Sequence, residues 1–195
     1  IVAGRDPCDT TTVELPEPVE IPEREDLKGV RVGVPRELNE AEGIEPGVKE
    51  AVDRTIELCR ELGAEVGETS LPRSVEFGLA CYYLVAPAEA SSNLARYDGA
   101  RYGLRVDGAN VREMYEKTRD AGFGDEPKRR IMLGAYALSA GYYDAFYGQA
   151  QRVRTVIAQE HAAAFEQFDV LVSPTSPTVA FKLGEKAENP LAMYL

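Results

Sequence analysis

The chain has 195 residues, 44% of them apolar and 28% charged, with a formal net charge of −11. This is the balance of a soluble globular protein with room for one sizeable core. The acidic excess argues against gripping a nucleic acid unaided, because phosphate binding needs clustered Lys and Arg. No apolar run approaches a membrane span and no basic-then-apolar leader opens the sequence, so a cytoplasmic location without a membrane partner is expected.

Residues 5–26 contain four prolines and no apolar periodicity, and read as an extended connection. Val30, Val32 and Val34 then alternate in a short strand that stops at Pro35. Pro46 sits where a first helical turn tolerates proline, and Val48, Ala51, Val52, Thr55, Ile56, Cys59 and Leu62 share one helical face before Gly63. A strand around Ala64 to Leu71 closes a strand–helix–strand unit, which favours an α/β sheet. Ser74 to Tyr97 is small and apolar, with Pro87 expected to bend or break a helix.

A polar helix is expected over 110–121, followed by the loop Ala121-Gly122-Phe123-Gly124 and an apolar helix starting near Pro127. Tyr142 to Phe168 suggests a long amphipathic helix through Val153, Val156 and Ile157. Residues 168–173 form a continuous apolar strand of the kind buried on both faces of a parallel sheet, ended by Pro-Thr-Ser-Pro-Thr at 174–178. The chain starts on Ile1 and stops on Met193-Tyr194-Leu195 without a polar tail, so it is expected to be one partial domain, residues 1–195, of a longer protein.

Several kinds of chemistry find little support. Cys8, Cys59 and Cys81 are odd in number and lack a C-x-x-C pair, which speaks against a disulfide frame or a zinc site. No Gly-rich phosphate loop and no G-x-S-x-G elbow occurs. His161, the single histidine, reads as a solvated or partly covered helix residue rather than a catalytic base. Ser173, Thr175 and Ser176 lie past the carboxyl end of a strand, where open α/β sheets place ligands, although a turn leaving the sheet explains them as well. Tyr82-Tyr83 and Tyr142-Tyr143 read as core aromatics with hydrogen-bonded hydroxyls.

Lys128-Arg129-Arg130 stands out in so acidic a chain. Cations at the start of a helix oppose its dipole and call for an anion. That anion is either a neighbouring Asp or Glu at the surface or a substrate carboxylate.

Taken in order, several segments resemble the later part of the glutamyl-tRNA(Gln) amidotransferase A-subunit family, a branch of the amidase signature enzymes. They are Ala3 to Thr11, Leu27 to Pro35, Glu89 to Gly99, Arg129 to Gly134, Ser139 to Ala145, Val153 to Thr155 and Val172 to Thr178. The resemblance implies part of the amidase signature fold, a mixed, largely parallel sheet flanked by helices. It implies a glutaminase half-reaction in which a serine nucleophile, activated through a second serine and a lysine, attacks the glutamine side-chain amide. Glutamate is released, and ammonia passes to a partner protein that amidates activated Glu-tRNA(Gln) with ATP and magnesium.

The family's catalytic serines and lysine precede the stretch matching Ile1, so no catalytic residue is assigned here, Ser91-Ser92 included, and the chain alone is expected to be inactive. No cofactor or metal is expected in this chain; ATP and Mg belong to a partner within a heterotrimer, and tRNA is reached only through the complex. By resemblance, Arg130 matches the arginine that grips the α-carboxylate of free glutamine, with Arg129 one register step away, and Tyr82 matches a tyrosine lining that pocket. The family's acidic anchor for the substrate ammonium falls near Asn189-Pro190-Leu191-Ala192-Met193-Tyr194, where the first position is not acidic. A stand-alone amidase of the same family and a non-catalytic α/β binding module are the alternative readings.

Overall fold

The computed structural model describes residues 4–9, 11–17, 23–101 and 103–185. Within the expected connection the described residues carry neither helix nor strand. Short side-chain turns hold them instead: the Cys8 N–H donates to Asp6 Oδ1 at 2.8 Å, and the Thr11 N–H to Asp9 Oδ1 at 2.9 Å.

Strand β1 (Arg31–Pro35) leads through the single turn α1 (Arg36–Asn39) into α2 (Pro46–Glu61), which opens on its proline as the spacing predicts. Strand β2 (Glu65–Thr69) returns parallel to β1, pairing Arg31 with Glu65 through to Pro35 with Thr69. Then follow α3 (Pro72–Leu94), α4 (Val111–Gly122), α5 (Asp125–Ala137), a π-helical turn (Tyr143–Tyr147), α6 (Gly148–Gln167) and β3 (Val170–Leu171). The strand order is β2-β1-β3, all parallel, so the described part is an α/β layer with β1 in the middle.

Glycines facing each other across the sheet set how closely α6 approaches it. Gly33 and Gly67 are partners in register. A β-carbon on Gly33 would lie 2.7 Å from Phe168 Cγ, and one on Gly67 2.9 Å from Phe168 Cε1. The Phe168 ring therefore lies against the space left by two absent side chains, just where α6 turns into β3.

Three expectations change on contact with the structure. Of the bend or break expected at Pro87, the break does not occur: α3 runs as one helix of 23 residues with Pro87 buried inside it. A proline there loses one helical hydrogen bond, but α5 lies directly on that turn. A β-carbon on Gly134 would sit 2.0 Å from the Pro87 carbonyl oxygen and 2.8 Å from Ser91 Oγ. The strand expected at 168–173 is only two residues long, and Val170 is 44% exposed. Within the described residues it pairs only with β1, as the edge of the sheet, so its outer side lacks the cover that the apolar run predicts. The long helix from Tyr142 begins instead as a π-helical turn, with α6 proper starting at Gly148.

Side chains complete the sheet where its ladders stop. Asp169 accepts from the Arg31 N–H at 2.8 Å and pairs with Arg31 Nη2 at 2.7 Å, while its own N–H donates to the Arg31 carbonyl. At the carboxyl end, Asn39 Nδ2 donates to the carbonyls of Pro35 (2.8 Å) and Val172 (3.1 Å), tying β1 to the chain leaving β3. Glu37 accepts from the Ser70 hydroxyl and, at 2.8 Å, from the Leu71 N–H, tying β1 to the segment after β2.

Leu71, Val32 and Pro35 are the largest fully buried side chains, so the core centres on this end of the sheet. The outer faces of α3 and α5 leave Leu79, Leu133, Tyr136 and the 72% exposed Met132 uncovered.

These contacts bear directly on stability. Gly134→Ala should destabilise the fold by about 2 kcal/mol or more in urea unfolding, because backbone rather than a flexible side-chain tip blocks the new methyl. Gly78→Ala, on α3 with nothing within 4 Å of the added carbon, should gain roughly 0.5–1 kcal/mol. The Ser70 and Leu71 bonds hold the Glu37 carboxyl at about 2, below its ordinary 4.5. A depressed carboxyl pKa adds stability that is fully present above pH 4.5 and is lost as pH falls through about 2. Glu37→Gln should therefore lower stability at pH 7 by about 2 kcal/mol and flatten the acid limb of the stability–pH curve over that window.

Candidate functional site

Helix α4 is built on a local signal. Asn110 caps it by accepting from the Glu113 N–H at 3.0 Å, and Glu113 reaches back to the Ala109 N–H. Its last turn is fastened to the end of α3. Arg119 Nη1 donates to the carbonyls of Leu94 and Tyr97, each at 3.0 Å, while its guanidinium lies 5.0 Å from the Phe123 ring centroid. The ring of Tyr97 meets that of Phe123 edge-on at 6.3 Å. A cation on the last carbonyls of α3 also answers the negative end of its dipole.

Because α4 ends at this corner, α5 starts beside the carboxyl end of α3 and runs antiparallel to it, reaching Pro87 at Gly134. Its first residues are Asp125 and Glu126, after Gly124 at the cap, so the first turn is acidic and the helix starts two residues before the expected Pro127. The basic triplet lies further in than its sequence suggested, and each member meets an acid. Lys128 Nζ pairs with Asp120 at 2.6 Å, Arg129 Nη1 with Glu126 Oε2, and Arg130 Nε with Glu126 Oε1 at 3.1 Å. Arg129 is 59% exposed and Arg130 40%. Arg130 lies four residues before Gly134, on the helix face that presses against α3.

Tyr82 is on α3, 45% exposed, with its ring edge-on to Tyr83 at 5.6 Å. It lies five residues before Pro87, whereas the antiparallel course of α5 carries Arg130 the other way, toward Leu94. The two expected pocket residues thus sit on packed helices, at different levels along them. Asn189 to Tyr194, where the ammonium anchor is expected, lie outside the described residues.

His161 is partly covered and its partners define its chemistry. Nδ1 lies 3.0 Å from the Ile157 carbonyl and 3.3 Å from Ser74 Oγ. The Ser74 hydroxyl donates instead to the Glu160 carboxylate at 3.0 Å, so the geometry does not set up His161 as a base for Ser74. Glu160 beside it accepts from the N–H groups of Arg73 and Ser74 and from the Ser74 hydroxyl, each at 3.0 Å. It caps α3 and satisfies that helix's first donors.

Ser91 donates to the Ala88 carbonyl at 2.9 Å within α3. After β3 the chain turns back over the start of α2, where the Glu45 N–H donates to the Pro177 carbonyl at 2.8 Å. Ser173, Thr175 and Ser176 belong to that return. The residue that sequence reasoning passed over is Glu126. Its signal was present as i,i+3 and i,i+4 spacing to Arg129 and Arg130.

None of the helices among the described residues is long and apolar enough to cross a membrane. The amidase family profile matches residues 1–195. The chain is 60% identical over 195 residues to the A subunit of glutamyl-tRNA(Gln) amidotransferase from Rubrobacter xylanophilus, covering 99% of this chain and 40% of the relative. It is 58% identical to the same protein from Moorella thermoacetica, covering all of this chain and 40% of the relative. Among solved structures, the A subunit of glutamyl-tRNA(Gln) amidotransferase from Thermotoga maritima matches with a TM-score of 0.62 and 36% identity, over 98% of this chain and 36% of that one. The chain spans about 40% of the length of the curated relatives it matches. Its helix-flanked parallel sheet and its match over the full 195 residues place it in one group: the chain belongs to the amidase family.

Proposed function

We propose that this chain supplies the glutamine-recognising part of the A subunit of a tRNA-dependent amidotransferase. Arg130 would hold the substrate α-carboxylate and Tyr82 would line the approach. The reaction is hydrolysis of the glutamine side-chain amide, with the ammonia used on Glu-tRNA(Gln) by partner subunits that bring ATP and magnesium. The serine–serine–lysine machinery of that reaction is not assigned to any residue of this chain.

The observation that carries the reading is the setting of Arg130 in a chain 60% identical to such a protein. Arg130 is the less exposed of the two arginines, on the face of α5 that meets α3, with its guanidinium tethered at Nε. A planar guanidinium can give a carboxylate two parallel charge-assisted bonds, which a lysine ammonium cannot reproduce. The net charge of −11 supports the assignment of tRNA contact to partners, since a chain this acidic repels a phosphate backbone.

The test is a chimera in which these 195 residues replace the matching part of the Rubrobacter xylanophilus relative, assembled with its partner subunits and assayed for glutaminase activity. Arg130→Ala should weaken glutamine recognition by about 2–5 kcal/mol, read as a raised KM. Arg130→Lys should stay impaired and Arg129→Ala should remain near the parent. Tyr82→Ala should have a smaller effect than Arg130→Ala, as expected for a lining residue displaced along α3. Unchanged glutaminase kinetics in Arg130→Ala would sink the assignment.

A further inference from the structure

We infer that Glu126 is the positioning residue for the carboxylate anchor, an assignment that rests on Arg130 being that anchor. One carboxylate holds two consecutive arginines, with a separate oxygen for each: Oε1 takes Arg130 Nε at 3.1 Å and Oε2 takes Arg129 Nη1. The bond to Arg130 is made at Nε, the nitrogen next to the aliphatic stem, so it sets the plane in which the two terminal nitrogens lie. Holding that plane before substrate arrives removes an ordering cost that a long, rotamer-rich side chain otherwise adds to binding.

The local structure keeps Glu126 in this role. It lies in the first turn of α5, where the positive end of the helix favours an anion, and it stands N-terminal to its i,i+4 cation, the favoured order. Lys128 pairs instead with Asp120 on α4. The frame is rigid at the next turn, where Gly134 meets the Pro87 carbonyl without room for a methyl. Both partners of the Glu126–Arg130 pair are well exposed, so the pair adds little to stability, and its consequence is in orientation.

The chimeric, fully assembled enzyme separates this role from a merely structural one when assayed on two substrates, glutamine and butyramide, which has the reacting amide but no α-carboxylate. Glu126→Ala should raise KM for glutamine about fivefold, the scale of re-ordering one side chain, with kcat and the butyramide kinetics unchanged. Glu126→Gln should stay close to the parent, because its amide oxygen still accepts from Nε. Should Glu126→Ala fail to accumulate, Glu126→Asp, which withdraws the carboxylate by one methylene, should show the same split.

An unchanged or lowered KM for glutamine in Glu126→Ala overturns the inference, since the carboxylate is then idle or competes with substrate. Equal losses on both substrates overturn it in favour of a general structural role. If Arg130→Ala itself leaves KM unaltered, the anchor reading fails first, and Glu126 loses its role with it.

Discussion

The described structure depends on one close approach, that of α5 to α3 at Gly134. A helix normally stands off its neighbour by the thickness of its side chains. Here the missing side chain lets α5 rest on the Pro87 carbonyl and against the Ser91 hydroxyl. The contact falls at the one turn of α3 where proline removes a helical hydrogen bond, so the neighbour's packing supports the helix where its own ladder is interrupted. It also sets the level of α5 along α3, and with it the place of every residue on α5, Arg130 included.

Electrostatic order follows from that placement. With net charge −11, the chain has acids to spare, and the basic triplet is shared out among them by helix geometry. Lys128 reaches back to α4, while the two arginines converge on Glu126. Other acids serve the ends of elements. Glu160 caps α3, Glu37 joins the segments after β1 and β2, and Asp169 takes over from the ladder at the edge of β1. In each case a carboxylate meets backbone donors left over where regular structure stops.

Much of the local architecture was legible in the residues. Pro46 at a helix start, the polar run over 110–121 and the alternation in β1 are short-range signals, and the structure places α2, α4 and β1 where they point. The misread features depend on distant neighbours. An apolar run at 168–173 predicts burial on both faces, but its cover depends on which strands lie beside it, and β3 pairs only with β1 among the described residues. Pro87 reads as a bend or a break, and the packing that accompanies α3 through it comes from Gly134, far along the chain on another helix. The start of α5, expected near Pro127, falls at Asp125, where Gly124 caps the helix without a side-chain bond.

The sequence by itself determined the alternation of strand and helix, the family likeness that singles out Arg130 and Tyr82, and the i,i+4 spacing that joins Arg130 to Glu126. These follow from backbone periodicity and residue chemistry, which act over a few residues. Only the tertiary structure decided that α5 runs antiparallel to α3 and that Tyr82 and Arg130 lie at different levels of that pair. It alone decided that Phe168 settles on the paired glycines of β1 and β2. Those outcomes depend on which surfaces can approach closely, and close approach is set by residues far apart in the chain, here most of all by side chains that are absent.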